Sequence, residues 1–153
     1  MKTLTVKRIT SAECMPLRSL VLRSGQAYEH CAFKEDDEDS TFHLGVRLDL
    51  PDNSKIISVG TFIQNALAQF PQHKNSYQLR GMATDPNARG LGAGKLLLQS
   101  AESVLKEKQS QLIWFNAREK AFPFYEKLGY IEVDGVITVS DFGPHKIMYK
   151  ELW

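Results

Sequence analysis

The stretch Met82-Ala83-Thr84-Asp85-Pro86-Asn87-Ala88-Arg89-Gly90-Leu91-Gly92-Ala93-Gly94-Lys95 decides how this chain is read. An apolar strand runs into a glycine-rich turn, and a long amphipathic helix starts directly behind it. The first amides of a helix have no acceptor inside it, and the aligned peptide dipoles put partial positive charge there, so this end suits an anion. Gly90, Gly92 and Gly94 stand at alternate positions. Without Cβ atoms they let the main chain close around a diphosphate, and Arg89 and Lys95 flank the turn with charge. Two better-known phosphate loops are excluded by counting. A Walker loop needs Gly at 89 and Ser or Thr at 96, where this chain has Arg89 and Leu96. A dinucleotide fingerprint starting at Gly90 needs Gly at 95, which is Lys95.

What fits is Arg/Gln-x-x-Gly-x-Gly/Ala, met here by Arg89, Gly92 and Gly94 after a strand. In this turn the chain resembles the GCN5-related N-acetyltransferases, which bind acyl-coenzyme A through it. A second block of that family, Ala121-Phe122-Pro123-Phe124-Tyr125-Glu126-Lys127-Leu128-Gly129-Tyr130, follows at the expected distance. The resemblance runs from Ser76 to Tyr130 and is loose before that. It implies an α/β chain with a mixed, mostly antiparallel twisted sheet of about seven strands and helices on both faces.

Working outward, Leu4 and Val6 alternate with polar residues as a first strand, and Ser11 is read as the cap of a helix. In that helix Leu17, Leu20, Val21 and Tyr28 share one face, with an interruption at Gly25. Pro16 is tolerable only near its start. The run Glu35-Asp36-Asp37-Glu38-Asp39-Ser40 has no apolar period and reads as a solvated loop, or as a field that draws a cationic amine to a nearby opening. Phe42–Leu50 and Ile56–Ile63 form a hairpin around Pro51-Asp52-Asn53-Ser54, and Gln64 to Asn75 is irregular. Tyr77 to Thr84 is a strand whose Gly81 marks a bulge or a close backbone approach.

After the turn, Gly94, Leu97, Leu98, Ala101, Val104 and Leu105 share a helix face. Gln111 to Asn116 reads as a strand covered on both sides. Pro123 fixes a helix start at about Phe122, and Gly129 ends it. Val133 to Val139 and Lys146 to Lys150 supply the last two strands.

Length and composition set bounds. At 153 residues, with 42% hydrophobic and 24% charged, the expectation is one domain, residues 1–153, of ordinary globular make-up. A net charge of +1 offers no footprint for nucleic acid or a membrane surface. Cys14 and Cys31 lack metal-ligand spacing, so no metal is expected. The absence of a signal-like start or an apolar run of about eighteen residues gives a cytoplasmic reading.

The resemblance supplies roles. Amides from Arg89 through Gly90, Leu91, Gly92, Ala93 and Gly94 to Lys95 would bind the diphosphate. Main-chain groups of Met82 and Thr84 would pair with pantetheine, and an amide of Met82 or Ala83 would reach the thioester oxygen. The family's strand before the turn splays from its neighbour at this point. Tyr125 stands where the family has its general acid, and a phenol near 10 and a thiol near 8.5 are matched for donation. The other reading of Tyr125 is a core tyrosine. A base is sought among His43 and His145, with Glu29, His30 and Asp141 behind them, and none is singled out.

Many family members carry Asn seven residues before the tyrosine, where this chain has Arg118. Asn116 takes over that cofactor contact in this reading. Arg118 reaches a phosphate or a substrate carboxylate, and Arg80 does the same or pairs with the acidic loop. The activity implied is an acetyl-CoA-dependent N-acetyltransferase acting on a small-molecule or peptide amine, by direct attack in a ternary complex, with a homodimer as the assembly left open. The alternative is a non-catalytic acyl-CoA-binding module of the same fold.

Overall fold

The computed structural model describes residues 3–140 and 143–152. Seven strands make one mixed sheet in the order β1-β2-β3-β4-β5-β7-β6, from β1 (Thr3–Ile9), β2 (Phe42–Leu50), β3 (Asn53–Gln64), β4 (Tyr77–Thr84), β5 (Leu112–Arg118), β6 (Ile131–Ser140) and β7 (Gly143–Glu151). The helices are α1 (Ser11–Leu17), α2 (Ala93–Glu107) and α3 (Phe122–Lys127). β4 and β5 run parallel, paired at Tyr77↔Ile113 and Gln78↔Trp114. The pairs β1/β2, β2/β3, β5/β7 and β6/β7 are antiparallel. The chain resolves into two units, residues 1–63 with 79–104, and residues 64–78 with 105–153, the division falling within β4 and within α2.

In the first unit the hairpin is tighter than the sequence suggested. β3 begins at Asn53, opposite Leu50, so only Pro51 and Asp52 form the loop. A bulge between Val46 and Arg47 takes up the spare residue on β3. The first helix is also corrected at both ends. Its cap is Thr10, whose hydroxyl accepts from the Glu13 amide at 3.2 Å while the Glu13 carboxylate accepts from the Thr10 amide at 3.0 Å. Ser11 is therefore the first helical residue.

Pro16 lies inside α1 and cannot donate to the ladder, and from Arg18 to Leu22 the chain continues as a widened π-helical turn. The expected single apolar face does not form. Leu17 is buried but Leu20 and Tyr28 are more than half exposed: Leu20 lies in the widened turn, and Tyr28 follows the exit from the helix at Ser24 and Gly25, both at positive φ. The core holds Ile9, Cys14, Leu17, Val59 and Ala83. On α2, Leu97, Leu98 and Ala101 are fully buried, as the period required.

In the second unit, β5 buries Leu112 to Phe115, and the Trp114 indole donates to the Asn65 carbonyl at 2.9 Å, tying the irregular Gln64–Asn75 segment down. α3 begins at Phe122 with Pro123 in its first turn, where a missing N–H costs nothing. It ends at Gly129, φ +94°, with the Tyr130 amide donating back to the Tyr125 carbonyl at 3.1 Å.

Candidate active site

The turn after β4 is pinned at its base. The Asp85 amide donates to the Ile57 carbonyl at 2.7 Å, and the Asp85 carboxylate accepts from the Asn87 amide at 2.9 Å. Pro86–Ala88 then makes one 3-10 turn. Gly90 and Gly92 follow at φ +86° and +82°, and nothing lies within 4 Å of where a Cβ would stand on either. That is open room on the side a side chain would fill.

The first α-helical bond runs from the Leu96 amide to the Gly92 carbonyl at 3.1 Å. The amides of Ala93, Gly94 and Lys95 come before it and have no intrahelical acceptor. No acidic side chain stands in this first turn, and Arg89 and Lys95 are exposed beside it. Helix dipole, first-turn amides and both charges all favour an anion.

β4 supplies the second part of this unit's site. Gly81 has φ +63°, which breaks the strand's alternation after Arg80. A Cβ there would meet the Phe33 ring at 2.9 Å and Arg18 Nε at 3.1 Å, so only glycine fits. Beyond it, Ala83 is buried and the Thr84 hydroxyl shares a hydrogen bond with that of Ser58 at 2.9 Å.

Behind Gly81 is a cluster that the sequence reading missed. Arg18, 1% exposed, donates through Nη1 and Nη2 to the two Asp36 oxygens at 2.9 and 2.8 Å, and also to the Cys31 carbonyl at 3.1 Å and the Thr61 hydroxyl at 2.6 Å. Asp36 accepts further from the Phe33 amide at 2.8 Å. Burial alone would raise the Asp36 carboxyl, but hydrogen bonds from Arg18 and Phe33 and the guanidinium charge outweigh it and hold it below the usual range.

The "solvated" acidic run is thus split. Asp37, Glu38 and Asp39 are exposed, whereas Asp36 is buried. A lone arginine in an apolar helix and one acid among five were the only signals available.

This cluster disposes of one proposed base. His43 is 7% exposed, with Nε2 at 3.1 Å from the Asp36 carbonyl and Nδ1 at 2.8 Å from the Thr61 hydroxyl. A carbonyl only accepts, so Nε2 carries a proton, and Nδ1 is paired with Thr61. Both nitrogens are spent internally. Glu29 and His30 are exposed, 3.8 Å apart, on a 3-10 turn. Asp141 lies outside the described residues. Arg80 takes the third of its anticipated options, with Nη1 at 3.5 Å from Glu35 in the acidic loop.

The second unit holds Tyr125, Asn116, Arg118 and His145. Tyr125 is half-buried on α3 in a group of rings, with centroids 4.3 Å from Phe115, 5.1 Å from Phe124 and 6.1 Å from Tyr130. Burial pushes its phenol up to about 12. It therefore stays protonated at neutral pH but is a weaker acid than the free phenol, and its match to a thiol near 8.5 is looser than expected. Asn116 is exposed near the end of β5, opposite Ile147 on β7. Arg118, also exposed, closes β5 opposite His145.

The thiols offer no nucleophile. Cys14 is fully buried and burial raises it to about 11, while Cys31 is 2% exposed. No helix among the described residues is long and apolar enough to cross a membrane.

Comparison with known proteins gives a consistent result. The family model described as "Acetyltransferase (GNAT) family" matches residues 9–130. The uncharacterized N-acetyltransferase YitI of Bacillus subtilis (strain 168) is 36% identical over 149 residues, covering 97% of each chain. Among solved structures, an aminoglycoside 6'-N-acetyltransferase complexed with coenzyme A superposes with a TM-score of 0.72 at 14% identity over 97% of both chains. Escherichia coli ElaA gives 0.74 at 15% identity, covering 97% of this chain and 100% of that one. These last two likenesses are of fold.

Proposed function

The chain belongs to the GNAT acetyltransferase family, and from that premise we propose that it transfers an acetyl group from acetyl-CoA to a primary amine by direct attack in a ternary complex. The observation that carries the reading is the open turn at Gly90 and Gly92 leading into the amides of Ala93, Gly94 and Lys95, which precede the first α-helical bond. Those amides, with Arg89 and Lys95, bind and orient the diphosphate. Main-chain groups of Met82 and Thr84 hold the pantetheine arm, and a Met82 or Ala83 amide donates to the thioester oxygen as negative charge develops there. Asn116 contributes to the cofactor's amide arm. Acetyl-CoA supplies the activated acyl group.

Tyr125 donates its proton to the departing thiolate. Its raised pKa keeps that proton in place until charge appears on sulfur. Direct transfer is favoured over a covalent relay because both cysteines are buried and Cys14 is far from ionised at neutral pH. The acceptor is a small-molecule or peptide amine, and the setting is cytoplasmic.

The test is thiol release from acetyl-CoA across a panel of amines, comparing wild type with Tyr125→Phe. Turnover on one amine class, with kcat in the variant lowered at least tenfold and the KM for acetyl-CoA little changed, is expected. Tight coenzyme A binding with no turnover on any amine would assign the chain to the non-catalytic binding modules instead.

A further inference from the structure

Phe33 meets two guanidinium groups whose surroundings differ sharply. The Arg18 guanidinium carbon lies over the ring, 4.1 Å from its centroid, and that of Arg80 also lies over it, at 4.3 Å. Arg18 is sealed from solvent and closed on Asp36 by two hydrogen bonds of 2.8 and 2.9 Å. Arg80 is 37% exposed and meets Glu35, itself 20% exposed, through one 3.5 Å approach. Charge-assisted hydrogen bonds close to about 2.7–2.9 Å, so the Arg80 pair is open where its neighbour is shut. The cation–π contact with Phe33 restrains the Arg80 guanidinium, and a restrained fork is better organised for a planar oxyanion than a free one.

The surrounding charge narrows the ligand. Asp37, Glu38 and Asp39 are exposed on the same loop, with Lys34 the exposed cation beside them. Their net field opposes an amine that carries a phosphate. A polycationic amine is drawn to the loop but repelled by Arg80. A dipolar ion, with its charges about one Arg–Glu separation apart, satisfies Arg80 and Glu35 together at no net charge.

We propose that Arg80 and Glu35 form the head-group site for the acceptor, and that the acceptor is a free amino acid, its carboxylate on the Arg80 fork and its amino group at Glu35. This rests on the acetyltransferase reading, in which Met82, two residues past Arg80, adjoins the thioester. Gly81 explains why the site can exist. Its left-handed backbone lets β4 lie against Phe33, and any Cβ would push the ring and Arg80 with it.

The experiment uses protein saturated with coenzyme A and titrated calorimetrically with each of the common amino acids, its carboxamide and its decarboxylated amine. Wild type is expected to bind at least one amino acid on the order of 10–100-fold more tightly than its carboxamide, the range for hydrogen bonds to a charged partner. Arg80→Gln removes that preference and Glu35→Gln weakens amino acid and carboxamide alike, with coenzyme A affinity unchanged in both. Wild type that fails to distinguish amino acid from carboxamide overturns the proposal without recourse to any variant, as does an Arg80→Gln protein that keeps the preference. Failure of the wider reading looks different: coenzyme A then does not bind, or it binds and no amine in the panel releases thiol from acetyl-CoA.

Discussion

Replacing Asp36 with alanine tests the buried cluster that backs β4. The change leaves the Arg18 cation in a site only 1% exposed, without the two carboxylate hydrogen bonds, and takes the acceptor from the Phe33 amide. Removing one partner of a buried ion pair costs about 3–5 kcal/mol, and one lost amide bond adds about 1, so the expected loss is about 5 kcal/mol. Against a total stability of about 5–15 kcal/mol that is a large share. At about 2–4 °C per kcal/mol for a chain of this size, Tm falls by about 10–20 °C.

Urea denaturation provides the assay, and a shift in midpoint at constant m places the effect in stability rather than in loop release. Replacing Arg18 and Asp36 together by apolar residues costs less than the sum of the single changes, because no uncompensated charge is left behind. A loss below about 1 kcal/mol for Asp36→Ala, or strict additivity of the pair, refutes the reasoning. The pH dependence has a definite sign. The folded Asp36 carboxyl lies below its unfolded value near 3.8, so its contribution is complete above about pH 4 and is lost as pH falls through the folded value.

Other outcomes follow from the same geometry. Gly92→Ala puts a Cβ at φ +82° into the open space of the turn, costing about 1–2 kcal/mol in strain and weakening coenzyme A binding at least tenfold by calorimetry. Difference spectra of tyrosinate between wild type and Tyr125→Phe, taken without cofactor, show Tyr125 still protonated at pH 11, since burial holds it near 12; ionisation close to pH 10 would remove the buried-acid account. A thiol reagent such as DTNB labels neither cysteine rapidly in the folded chain and both after unfolding, because Cys14 and Cys31 are 0% and 2% exposed.

Legibility in the sequence followed the kind of interaction. Elements set by backbone rules were plain: the glycine turn, the helix start at Pro123, its stop at Gly129 and the strand from Tyr77 to Thr84. The resemblance added the sheet, which periodicity alone leaves undetermined. Tertiary electrostatics were not legible. Asp36 resembles its acidic neighbours in every local property, and only a guanidinium 18 positions earlier in sequence makes it a core residue. Leu20 and Tyr28 failed for a different reason: Leu20 sits in the widened π-helical turn, where the 3.6 spacing no longer holds, and Tyr28 follows the break at Ser24 and Gly25. His43 read as a candidate base because sequence shows a titratable ring and not the Thr61 hydroxyl and Asp36 carbonyl that occupy it.

A crystal structure of the chain with acetyl-CoA tests the account most directly. The diphosphate oxygens are expected within about 2.7–3.2 Å of amide nitrogens in the Gly90–Lys95 turn. A cofactor bound elsewhere, with that turn free of phosphate, would contradict it.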